Sequence, residues 1–134
     1  MKNDSDLVDL GLAMERAQRY AALRAELEAA EPDTKEWKTR WQAVQMAERT
    51  GLGPVANQPC TYCIGTDRYA ARVVNVSKGG FRLAAMVYDG QEMEFTRRAN
   101  GGYIAAGQNF GHLRFFMRET WLDPDFCRPK RRSS

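Results

Sequence analysis

The chain has 134 residues and a formal net charge of +3, with 43% hydrophobic and 28% charged side chains, which excludes a disordered polyelectrolyte and leaves room for one packed domain with an appendage. The charge is uneven: residues 1–59 hold 8 Lys and Arg against 10 Asp and Glu, a balance of −2, and residues 60–134 hold 12 against 7, a balance of +5. A basic half beside a slightly acidic one points to an anionic partner for the second half.

Residues 6–30 are predicted to form an amphipathic helix, because Leu7, Leu10, Met14, Ala17, Ala21 and Leu27 recur at three–four spacing, with Tyr20 and Leu23 widening the stripe. Asp6 is its expected cap, and Pro32 ends it by disfavouring helical geometry at Glu31. A second helix restarts at Asp33, which with Glu36 has capping-box spacing. Trp37, Trp41 and Val44 mark its inner face and Gly51 its end. The expectation is a helical hairpin over 1–51 whose two tryptophans bury against the rest of the protein or a second copy. A homodimer through the hairpin is one partner arrangement this allows.

Residues 52–59 are a linker by composition, containing Gly53, Pro54, Asn57 and Pro59. From there to 126 short β-type runs alternate with Gly-rich turns, placing strands near 60–66, 69–77, 81–88, 92–98, 103–106 and 112–118. Ala99-Asn100-Gly101-Gly102 is the clearest hairpin turn, since Asn and Gly tolerate positive φ. Trp121 to Phe126 is expected to be an ordered turn, and 127–134 a flexible basic tail. The fold class is therefore α+β: a helical hairpin followed by a small antiparallel SH3-like β-barrel over 60–126. Neither an apolar signal-peptide core nor a membrane-length apolar run is visible. The expected location is the cytoplasm, with Cys60, Cys63 and Cys127 reduced.

Catalytic residues are not expected: no Ser/His/Asp or Cys/His set is present, and Asp123 and Asp125 are too close for a general acid/base pair. No cofactor is expected. Metal is not expected either; Cys60 and Cys63 have CxxC spacing, but His112 and Cys127 are the only further zinc donors of the right type. What the strands do carry is arginine beside aromatic rings. Guanidinium forks match phosphates and ring faces stack on bases. The candidate binding residues are Asp67, Arg68 and Tyr69 at the first strand junction, Arg97 and Arg98 at the clearest hairpin, and Tyr103 and Arg114 beyond it. A pleated strand should send Arg97 and Arg98 to opposite faces, so that at most one lines a given site.

The stretch from Cys63 to Gly80 contains the tetrad Thr66-Asp67-Arg68-Tyr69 and a strand ending at Ser77-Lys78-Gly79; Phe95-Thr96-Arg97-Arg98 then runs into Asn100-Gly101, and Asp123-Pro124 precedes Phe126. In order and spacing these motifs resemble small uncharacterised bacteriophage and prophage proteins, over roughly residues 60–126. The resemblance implies an SH3-like barrel of phage or mobile-element origin. It makes the leading expectation a non-enzymatic accessory protein that binds and inhibits a host defence complex, such as the CRISPR machinery or another ribonucleoprotein. The alternative is a nucleic-acid or signalling-nucleotide binding module that uses the Arg–aromatic face.

Overall fold

The structure, a computed structural model, describes residues 4–87 and 90–117, with residues 4–10 as backbone alone. Helix α1 runs Asp4–Ala29 and α2 Lys35–Thr50; the strands are β1 Pro59–Ile64, β2 Asp67–Val76, β3 Arg82–Val87, β4 Glu92–Arg97, β5 Tyr103–Ala105 and β6 His112–Phe115. The expected turn at 121–126 and tail at 127–134 lie outside the described residues. Each strand pairs antiparallel with its successor, and β6 closes on β1 to complete a six-stranded barrel. The protein is thus α+β with a small closed barrel, as the alternation of short runs and turns requires. Among the described residues no helix is long and apolar enough to cross a membrane.

Strand alternation fills the barrel. Cys60 and Tyr62 of β1 point inward with Ala71 and Val73 of β2, Leu83 and Ala85 of β3, Phe95 of β4, and Leu113 and Phe115 of β6. Phe95 meets Tyr62 edge-on at 5.5 Å between ring centroids, the geometry the ring quadrupole prefers. An irregularity between Val73 and Asn75 breaks the β2–β3 register. Such a bulge adds the bend that lets a long strand curve round a closing barrel.

The helices add to this core. Ala47 of α2 belongs to it, and Tyr20, Leu23 and Leu52 pack against it. Of the expected α1 stripe, Tyr20, Leu23 and Leu27 face inward, while Met14 and Ala21 are exposed and Ala13 is buried in their place. Packing against two surfaces at once, α2 and the barrel, rotates the helix away from its best single apolar stripe. The cap of α2 is also corrected, from Asp33 to Thr34, whose hydroxyl accepts from the Trp37 amide at 3.1 Å. Asp33 instead takes a left-handed conformation, φ 67°, which a short polar side chain tolerates. Glu36 keeps its place in the first turn, where the helix dipole favours it. Gly51 ends the helix in the left-handed conformation, its amide bonding the Ala47 carbonyl at 2.8 Å.

Trp37 and Trp41 do not bury against the barrel as expected. They stack on each other at 6.2 Å and 12°, and Trp41 is 42% exposed. One turn apart, the two rings stack on each other along the stripe that continues into buried Val44, and they lie outside the core that Ala47 joins.

Residues 52–59 connect helices to barrel, but as a packed strap rather than a loose linker. Gln58 is fully buried; its amide nitrogen donates to the Gly51 carbonyl at 3.1 Å and its side-chain oxygen accepts from the Val55 amide at 3.0 Å. Asn57 and Gln58 also exchange backbone bonds with Val73 at 2.9 Å. Two side-chain bonds and a short ladder close the polar groups that so buried a segment must satisfy.

Candidate functional site

The outer faces of β1, β2 and β6 follow from register. Cys60 and Tyr62 face the barrel core, so Thr61 and Cys63 point to the other side of β1, where Thr61 is buried and Cys63 half-buried. Thr61 stands opposite Arg114 and Ala70; Cys63 stands opposite His112 and Arg68. Arg68, His112 and Arg114 therefore share one outer surface, where they line a shallow cavity of about 600 Å³ with Glu48 of α2 at its edge. The C-terminal turn of α2 lies against β6 and the β4–β5 turn. A Cβ on Gly102 would fall 2.6 Å from Arg49 Cγ, so that glycine is what lets the Arg49 stem lie on the turn.

At this junction Arg49, Arg98, Asn100, Tyr103, His112 and Arg114 line a cleft of about 190 Å³. Among the described residues no carboxylate lies within 4.0 Å of the Arg49, Arg98 or Arg114 guanidinium. Several other arginines are paired or buried: Arg82 pairs with Glu94 at 3.3 Å, Arg40 with Glu26 at 2.9 Å, and Arg72 is buried and donates to Asn57 Oδ1 at 3.0 Å. Three uncompensated cations facing one cleft repel one another, and an anion between them removes that repulsion.

A second cavity of about 470 Å³ adjoins the first, and Arg98 and Tyr103 line both. Arg97 also lines the second. The expectation that Arg97 and Arg98 cannot share a site is thus corrected. Strict alternation holds only within the strand, and Arg98 lies past the end of β4 in the turn to β5, closed by bonds between Arg98 and Gly102 and between Gly101 and Arg98. The Arg97 guanidinium lies 4.5 Å over the Phe81 ring, and Tyr103 donates to the Gly80 carbonyl at 2.8 Å. Burial raises the Tyr103 hydroxyl above its ordinary range, with Arg97 opposing that shift.

Of the sequence candidates, Arg98, Tyr103 and Arg114 converge, with Arg97 adjoining and Arg68 on the neighbouring surface. Tyr69 goes elsewhere: it leans on Tyr62 at 6.4 Å in the other mouth of the barrel, beside Phe110. Burial, then the neighbouring Tyr69, raises the Tyr62 hydroxyl. Asp67 is exposed at the start of β2, lines none of these cavities, and is not part of the site. Arg49, Asn100 and His112 complete the cleft and were not candidates for it. Arg49 is remote in sequence, although its position in the last turn of a helix ending at Gly51 marks it as facing the barrel junction.

Cys60 points into the core and Cys63 to the outer face, so the CxxC pair does not converge on one centre. Among the described residues no three His, Cys, Asp or Glu side chains come together as a metal set; Cys127 lies outside them.

Fold and site together define a helical hairpin on a closed antiparallel barrel with a basic cleft at their junction. No family model, curated protein or solved structure matches the chain.

Proposed function

We propose that this protein is a nucleic-acid binding module, holding the phosphodiester backbone in the Arg49–Arg98–Arg114 cleft. The observation that carries the reading is the convergence of three guanidinium groups on one cleft without a carboxylate of any described residue to neutralise them. Guanidinium forks bind phosphate oxygens bidentately, and Asn100 and His112 add further polar side chains beside them. A phosphate-centred site binds with strong salt dependence and little sequence preference.

Fluorescence anisotropy with a labelled oligonucleotide tests this. Arg98→Ala with Arg114→Ala should weaken binding at least tenfold and lower the slope of log K against log salt by about two, one per phosphate contact. Unchanged affinity and slope in the double variant would show that the cleft does not hold phosphate.

A protein partner, such as the host defence complex expected from the phage resemblance, is a second reading favoured by one observation. Trp41 is 42% exposed and stacked on Trp37, outside the core. Large rings at the surface are the residue type that anchors protein interfaces.

A further inference from the structure

We propose that Phe81 and Arg97 form a seat for one unpaired nucleobase, so that the strand on the arginine cleft is single-stranded. This rests on the phosphate reading above and adds a second, separable contact to it. Phe81 is 62% exposed, more than any other large hydrophobic side chain among the described residues. An isolated apolar ring at the surface needs no explanation. This one is held in place. The Lys78–Gly80 turn before it has Gly79 at φ 86°, where a Cβ would lie 3.1 Å from the ring, and the Tyr103 hydroxyl pins the Gly80 carbonyl. Arg97 then lies over the ring at 4.5 Å and is itself exposed.

A guanidinium over an aromatic ring sets a flat, delocalised cation beside a second flat surface. Unstacked bases are bound on such planes, and they tolerate any base because every base has a π-face. Thr50, Pro54 and Gly101 wall the cavity round this pair, giving it about 470 Å³. Its shared border with the arginine cleft, through Arg98 and Tyr103, places base seat and phosphate site side by side, as base and backbone lie in a single strand. A duplex keeps its bases in the stack and presents phosphates and base edges but no free base face to stack on. An apolar protein side chain would have to desolvate Arg97 and Arg98, which line the same cavity.

The test uses the full chain and three labelled probes of equal length: a mixed-sequence single strand, an abasic strand with the same phosphates, and a duplex. The single strand should bind roughly tenfold more tightly than the abasic strand, the size of one base–aromatic stack. Phe81→Ala should erase that difference while leaving abasic binding and the salt slope unchanged, and Phe81→Tyr should restore it. Unchanged abasic binding also reports that the Phe81→Ala variant is folded. Equal binding of base-bearing and abasic strands, or duplex binding as tight as the single strand, overturns the seat and leaves the arginine cleft standing. So does a Phe81→Ala variant that keeps the full preference. Failure of all three probes to bind the unaltered protein overturns both readings.

Discussion

Gly51 meets two demands that no other residue type meets together. It ends α2 at φ 67°, and a Cβ there would lie 2.9 Å from two ring atoms of Phe115, which has no exposed surface to move into. Gly65, between β1 and β2, shares the first demand at φ 56° but has nothing within 4 Å of its missing Cβ. Gly65→Ala should therefore cost about 1 kcal/mol, the penalty of left-handed backbone alone. Gly51→Ala should cost about 3 kcal/mol, because overpacking a rigid core adds to the same backbone term. Urea denaturation of the two variants checks the contrast. Equal destabilisation would mean that the α2–barrel junction yields where its packing leaves no room. Phe116 shows the opposite use of the same conformation. It is an aromatic residue at φ 64°, held there by stacking on Tyr20 at 4.6 Å and 13°. Strain of that kind persists only where surrounding contacts over-determine the backbone.

At the scale of elements, the tryptophans of α2 separate stability from function. Phe95 is fully buried, and its truncation to Ala should cost about 3–5 kcal/mol. Trp41→Ala removes a larger ring, yet should cost under about 1 kcal/mol, because the ring contacts Trp37 and solvent rather than the core. Thermal melting of the two variants measures this. If Trp41→Ala unfolds the protein as Phe95→Ala does, the exposed stack is structural and the protein-partner reading loses its support. This is also where sequence reading reached its limit. Since alternation and glycine turns act locally, all six strands were legible to within two residues at each end, except that β6 ends at Phe115, three residues before the expected 118. The orientation of the helices was not. Tyr20, Leu23 and Leu27 were legible, but Met14 fits a helical stripe as well as its neighbour Ala13 does, and only packing decides between them. The cleft is divided in the same way. Arg98, Tyr103 and Arg114 were legible as arginine and tyrosine on neighbouring strands. Arg49 was not, because its place in the last turn of α2 is local but the turn it packs on lies some fifty residues later.

Over the whole molecule, Tyr20 joins the two halves. Its ring stacks on Phe116 just after β6, and its hydroxyl donates to Glu48 of α2, so one side chain of α1 touches both the second helix and the barrel end. Since Ala47 and Leu52 pack with Phe115 and Phe116 in a continuous core, hairpin and barrel should unfold in one transition. Alkaline pH probes that joint. Burial first, then the Glu48 carboxylate that accepts its hydrogen bond, raises the Tyr20 hydroxyl well above its ordinary 10.0. Below that value both folded and unfolded chains keep the proton, and the full stabilisation is present. Above it the unfolded chain loses the proton while the folded chain holds it. The unfolded state then binds fewer protons, and stability falls as pH rises toward the folded value. Tyr62 and Tyr103, also raised, act in the same direction. The melting temperature should therefore hold steady up to about pH 10 and decline beyond it. Tyr20→Phe keeps the stack on Phe116 and loses the hydroxyl. It should cost about 1 kcal/mol at neutral pH and flatten the alkaline decline. If the variant loses stability with pH as steeply as the unaltered protein, the decline arises in the barrel, at Tyr62 and Tyr103, and the Tyr20–Glu48 bond does not carry the joint.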